Sequence, residues 1–232
     1  MTLKDDQLSL VFDLDRKSPF FFKCQKCSVC CNNRTIKLEP YELLRISRNL
    51  GISTKEFLKT YVEDKSPILC NKPNGECIFL ASNGCGIHSH RPLVCRLYPL
   101  GLIWDSEGKE RFSSMPPHPD CLGFYSDEGT VEAYLESQGV ELYFYFEKKY
   151  SPIYQKIAAK FLSFRKQTLE AHHAWKLEGL GDNSVTALLP HLFDIDTTVT
   201  AFCQKHRIEL PVDLDEIVEA HIQALSVWLD IL

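Results

Sequence analysis

The sequence predicts an α+β fold, with a cysteine-rich first half of short helices and hairpins and a mainly helical C-terminal half. Nine of the ten cysteines, at 24, 27, 30, 31, 70, 77, 85, 95 and 121, precede residue 122, and Cys203 stands alone. Hairpin signals recur between Cys77 and Ser114. Beyond about residue 126 the apolar residues fall at three- and four-residue spacing. These observations divide the chain into an expected cysteine-cluster domain over 1–125 and a helical region over 126–232 packed on it.

The elements follow in chain order. Tyr41 to Leu50 reads as a helix with Leu43, Leu44, Ile46 and Leu50 apolar, entered at Pro40 and ended by Gly51. Ser53, with Glu56 three residues on, opens a second helix whose Phe57, Leu58, Tyr61 and Val62 share a face. Cys77–Leu80, the turn-prone Ser82-Asn83-Gly84 and Cys85–His88 read as two short strands in a knuckle-like hairpin. Leu97–Trp104 and Arg111–Ser114 form a second, joined through 105–108, and a proline-stiffened segment carries Cys121. Helices are expected over Thr130–Ser137, Val140–Lys149, Ile153–Trp175, Thr197–Lys205 and Asp213–Leu232, with Pro152 breaking the second from the third. The last carries a wide stripe from Ile217 to Leu232 that must bury against something, by default this protein.

With 232 residues, 44% hydrophobic and 25% charged, the chain has ordinary globular composition and can bury a core. A net charge of -5 and a pI near 5.9 argue against nucleic acid as a partner, because phosphate binding needs a basic surface. Met1–Leu10 lacks the apolar stretch of a secretory signal, and segments such as Leu97–Trp104 are too short to cross a bilayer. A soluble, cytoplasmic protein with no membrane partner is expected. In a reducing compartment disulfides are disfavoured, and cysteine spacing points to metal or redox chemistry.

Cys24-Gln-Lys-Cys27-Ser-Val-Cys30-Cys31 contains two overlapping C-x2-C pairs. A two-residue gap lets both sulfurs approach one metal while backbone N–H groups point at them. Were the stretch helical, Cys24, Cys27 and Cys31 would share a sector of roughly 60°. Adjacent Cys30 and Cys31 are hard to satisfy with one mononuclear site. With Cys77, Cys85, Cys95 and Cys121 the candidate ligands suit two four-ligand sites or one larger cluster. Thiolates serve zinc and iron–sulfur clusters alike. The opening cysteines match a bacterial ferredoxin run only in part, since Asn32 follows Cys31 directly. Lys23, Lys26, Arg34, Arg91 and Arg96 are candidates to offset the anionic sulfurs, or solvated surface charges.

The run Cys77–Leu80 and the block Cys85-Gly-Ile-His88-Ser-His90-Arg91-Pro92-Leu-Val-Cys95-Arg96-Leu-Tyr98-Pro99 complete a pattern. From Cys24 to Pro99, with Cys121 as a final member, the chain resembles the CxxCxxCC family of zinc- or iron-chelating domains, also called YkgJ-type cysteine cluster proteins. Ser28 stands where that family often has Gly, and His88 where Tyr is common. The resemblance implies metal chelation. A similar cluster in flagellin lysine-N-methylases suggests methyl transfer by analogy, but no glycine-rich nucleotide fingerprint accompanies it, and Gly179-Leu-Gly181 reads as a turn.

Among the remaining candidates, His88 and His90 alternate on the expected strand, so at most one reaches a metal. His118 reads as an exposed loop residue, His172-His173 as helix surface, Cys70 as a free or packed thiol, and Cys203 as a small buried hydrophobe. The sequence thus predicts a metal-binding protein that holds iron, as an iron–sulfur or polynuclear centre, on Cys24, Cys27, Cys30, Cys31, Cys77, Cys85, Cys95 and Cys121, with a redox or metal-handling role. One alternative is a structural zinc module whose helical C-terminal half binds a protein partner. Another is an iron–sulfur-dependent modifying enzyme, which needs an open coordination position or a substrate pocket.

Overall fold

The computed structural model describes residues 10–63, 67–105, 107–126, 128–170 and 190–231. The fold is α+β, with small antiparallel sheets and a helical C-terminal half. Its residues fall into two compact units, one from the residues up to 36 with 71–141, the other from 37–70 with 142 onward.

The first unit holds three two-stranded sheets. Strand β1 (Phe22–Lys23) pairs with β6 (Phe124–Tyr125), placing Phe22 opposite Tyr125. Gly123 is needed beside this pair because a Cβ there would collide with the ring of buried Phe22. Strands β2 (Leu80–Ala81) and β3 (Gly84–Cys85) form the predicted first hairpin, with Leu80 opposite Cys85 and Gly84 at φ 104°, in the region only glycine enters without strain. The hairpin is shorter than expected, since His88–His90 is a 3₁₀ turn. Strands β4 (Leu100–Trp104) and β5 (Glu110–Ser114) form the second. Leu97, expected at its start, ends the short helix α3 (Leu93–Leu97) instead. Five residues are too few to show a helical period in sequence. Helix α4 (Val131–Gln138) is capped by Thr130, whose Oγ1 accepts from the Ala133 N–H, and the buried residues Phe20, Phe79, Ile87, Leu97, Leu100, Phe112, Val131, Tyr134 and Leu135 belong to this unit.

The second unit opens with α1 (Pro40–Leu50), where the Glu39 N–H donates to Glu42 Oε2 at 2.8 Å and Gly51 closes the helix at φ 69°. In α2 (Thr54–Tyr61) the Glu56 N–H donates to Ser53 Oγ at 3.1 Å, as the sequence predicts. Helix α5 (Glu141–Glu170) runs through Pro152 unbroken, against the expected break there. Proline removes one helical donor, but Tyr143, Phe146, Tyr150 and Ile153 are all buried across the site of the interruption. Tertiary burial outweighs that lost bond. The expected extension to Trp175, His172-His173 and the turn at 179–181 lie outside the described residues. Helices α6 (Ile195–His206) and α7 (Leu214–Ile231) complete the unit. The α7 stripe is buried at Ile217, Val218, His221, Leu225 and Leu229, while Trp228 is exposed. Asp196 accepts from the Thr54 N–H at 2.7 Å and from Arg48 Nη2 at 2.5 Å, tying α6 to the start of α2.

Candidate metal centre

All eight cysteines singled out as ligands fall in the first unit, whereas Cys70 and the buried Cys203 fall in the second. The leading stretch is not helical. Lys26 and Ser28 sit at φ 54° and 62°, in the left-handed region, and only Val29–Cys31 makes a 3₁₀ turn. These reversals curl backbone N–H groups onto the sulfurs. The Lys26 N–H donates to Cys24 Sγ at 3.3 Å. The same two-residue offset joins the Val29 N–H to Cys27, the Ile87 N–H to Cys85 and the Gly123 N–H to Cys121. Amide donors aimed at sulfur favour the thiolate, the form that binds metal.

Residues 31–33 and 75–77 run side by side. The Cys77 N–H donates to the Cys31 carbonyl at 2.8 Å, Asn32 bridges Glu76, and the Asn33 N–H donates to the Gly75 carbonyl at 2.8 Å. Cys31 thereby lies in the electrostatic field of Cys77 and Cys85. Cys30 hydrogen-bonds its neighbour Cys31 and acts on Cys27, Cys85 and Cys121, while Cys27 hydrogen-bonds Cys121. Six sulfurs, those of Cys27, Cys30, Cys31, Cys77, Cys85 and Cys121, are thus mutually linked. Exposed Cys24 acts on Tyr134, and Cys95, on α3, acts on Arg91. All are free thiols, and among the described residues no three Cys, His, Asp or Glu side chains stand in metal-ligating geometry.

The thiols titrate unequally. The Cys31 hydrogen bond, its own backbone N–H and the charges of Arg34 and Arg91 bring Cys30 down to about 6 against the cost of burial. The same hydrogen bond, burial and the neighbouring sulfurs push Cys31 well up. The shared hydrogen bond thus pulls the two neighbours in opposite directions. The Val29 and Leu122 N–H groups lower Cys27. Burial raises Cys85 and Cys121. A divalent cation would offset both the burial that disfavours these thiolates and their mutual repulsion, so the chemistry of the donor set fits iron or zinc.

The model of the CxxCxxCC family, described as "Putative zinc- or iron-chelating domain", matches residues 23–119. Over that stretch the chain is similar to the CxxCxxCC family. An uncharacterized protein of Methanocaldococcus jannaschii is 31% identical over 121 residues, covering 48% of this chain and 62% of that protein. The chain spans less than two thirds of that relative's length. No solved structure matches the chain. Among the described residues no helix is long and apolar enough to cross a membrane.

Within the matched stretch the arginines act mainly on backbone. Arg96, buried, donates to the carbonyls of Arg91 at 3.2 Å, Gln138 at 2.6 Å and Ser89 at 2.5 Å. Arg91 donates to the His88 carbonyl at 2.7 Å and to Gln138 Oε1 at 2.8 Å, and its charge reaches Cys85 and Cys95. Arg96 therefore positions the surrounding backbone, and Arg91 combines that role with a field on the sulfurs. His88 is exposed, and burial of part of its ring together with Arg91, Lys26 and Arg96 lowers its pKa. Because His88 and His90 share a 3₁₀ turn, the strand-alternation argument does not apply to them. His118 is half-exposed and its N–H donates to Tyr98 Oη at 2.8 Å. Tyr98, which follows Cys95-Arg96-Leu97, therefore anchors the loop that delivers Cys121.

Tyr134 escapes sequence reading. Its hydroxyl meets the carbonyls of Tyr98 at 2.9 Å and Leu97 at 3.3 Å, pinning the end of α3, and burial pushes its pKa up. A single tyrosine on an amphipathic helix carries no signal that separates it from ordinary core.

Proposed function

We propose that the cysteine cluster binds iron, as an iron–sulfur or other polynuclear centre, and serves redox chemistry or metal handling. The candidate ligands are Cys24, Cys27, Cys30, Cys31, Cys77, Cys85, Cys95 and Cys121, in a domain spanning roughly residues 1–125. The observation that supports this reading is the pairing of residues 31–33 with 75–77, which joins Cys31 to Cys77, together with the mutual influence of the Cys27, Cys30, Cys31, Cys77, Cys85 and Cys121 sulfurs. A closed tetrahedral zinc site takes four ligands and leaves sulfurs over, whereas a double or polynuclear centre uses them. The ligand shell would be strongly anionic, and Arg34 and Arg91, whose charges already act on Cys30, would offset it.

Anaerobic purification followed by elemental analysis and Mössbauer spectroscopy tests the reading. Iron in more than one equivalent per chain, with a cluster or coupled-iron signature, is expected. Stoichiometric zinc without iron refutes it in favour of a structural module. The cytoplasm, with its reducing poise, is the compartment in which so many free thiols persist.

A further inference from the structure

Beside the cysteine cluster lies a cavity of about 600 Å³, lined by Val29, Asn32, Asn33, Arg34, His118 and Asp120. Its size is that of a small-molecule site. Two of its walls belong to the cluster itself, since Val29 and Asn32 flank Cys30-Cys31 and Asp120 precedes Cys121.

The lining is rich in donors. Among the described residues no carboxylate pairs with Arg34, whose guanidinium lies over the Tyr98 ring at 5.9 Å from its centroid, leaving the fork available. The Asp120 N–H donates to His118 Nδ1 at 3.2 Å, which puts the proton of the neutral ring on Nε2 and makes that nitrogen a donor. The His118 backbone is in turn held by Tyr98 Oη, and that of Asn33 by the Gly75 carbonyl. The backbone is thus fixed at His118 and at Asn33, which precedes Arg34. The one acid, Asp120, has a side chain 82% exposed, so water screens it.

We propose that this cavity binds a small oxyanion, a carboxylate or a phosphate, with Arg34 as its principal partner and His118 as a second donor. A planar guanidinium beside an imidazole N–H matches the paired oxygens of either group. Bound there, the anion lies against residues that flank Cys30, Cys31 and Cys121 in the chain. The cavity would give the proposed metal centre a substrate or counter-ion site, yet the contacts that define it are to this chain's own residues and do not require the metal.

Isothermal titration of the full chain, purified anaerobically, with succinate and with inorganic phosphate as separate titrants tests this. Saturable binding of at least one is expected, weakened about tenfold or more by Arg34→Ala, partly restored by Arg34→Lys, and unchanged by Lys109→Ala on the exposed β4–β5 loop. Which titrant binds tells carboxylate from phosphate. No saturable binding of either up to about 10 mM, or equal loss in Arg34→Ala and Lys109→Ala, overturns the proposal. Metal content measured on the same samples separates the two readings: metal-free protein that binds through Arg34 supports the cavity and counts against the iron centre.

Discussion

The backbone N–H of Cys77 donates to the carbonyl oxygen of Cys31 at 2.8 Å, across 46 positions of sequence. This bond joins the leading cysteine run to the second group and sets the Cys31 sulfur within the field of Cys77 and Cys85. If those sulfurs share metal, Cys31→Ser and Cys77→Ser each lower the bound metal by about half or more, because a four-thiolate site does not survive loss of one ligand intact. Cys203→Ala, in the other unit, leaves the stoichiometry unchanged. Elemental analysis of the three purified variants checks both expectations.

Arg96 holds three carbonyls from one buried position. Arg96→Met removes all three donors and leaves the carbonyls unsatisfied, an expected loss of about 3 kcal/mol. Lysine, with one point charge in place of a fork, recovers only part. Chemical denaturation followed by circular dichroism measures both variants.

His221 is fully buried between two partners, Tyr150 Oη at 2.7 Å from Nδ1 and the His191 carbonyl at 3.0 Å from Nε2. The geometry demands a neutral ring that donates from Nε2 and accepts at Nδ1. Burial accordingly brings its pKa down to about 4. The unfolded chain takes up the proton first, near pH 6.5, so stability contributed by the neutral ring is present above that value and is lost as pH falls toward 4. The total is about 3 kcal/mol. Urea midpoints measured between pH 7 and pH 4 should decline across this window, and His221→Gln should flatten that component of the decline.

Much of the architecture was legible because it rests on local chemistry. Gly51, the Ser53–Glu56 pair and the turn before Gly84 each act within a few residues, and the helices and hairpins they bound are present. Pro152 misled because a local penalty was overruled by burial of Tyr150 and Ile153 on either side. For the cysteines, type and spacing pointed to chemistry, but their relative placement depends on the non-local pairing of 31–33 with 75–77, which leaves no periodic trace. The left-handed backbone at Lys26 and Ser28 was equally hidden.

Ser28 bears on one further expectation. It stands at φ 62°, in the left-handed region that favours glycine. A side chain in that region costs roughly 1–2 kcal/mol, and glycine gives back part of this through a more flexible unfolded chain. Ser28→Gly therefore leaves thermal stability unchanged or raises it by about 1 kcal/mol, with metal content retained. A differential scanning fluorimetry shift to lower temperature would show that the serine hydroxyl has a structural role.

The account stands on convergence of the sulfurs around metal. X-ray absorption at the metal edge of anaerobically purified protein reads that convergence directly. The expected spectrum shows a first shell dominated by sulfur, with iron as the absorber and a second metal shell behind it. A metal-free protein whose cysteines all react with a thiol reagent in the folded state, or a first shell of nitrogen and oxygen, would contradict it.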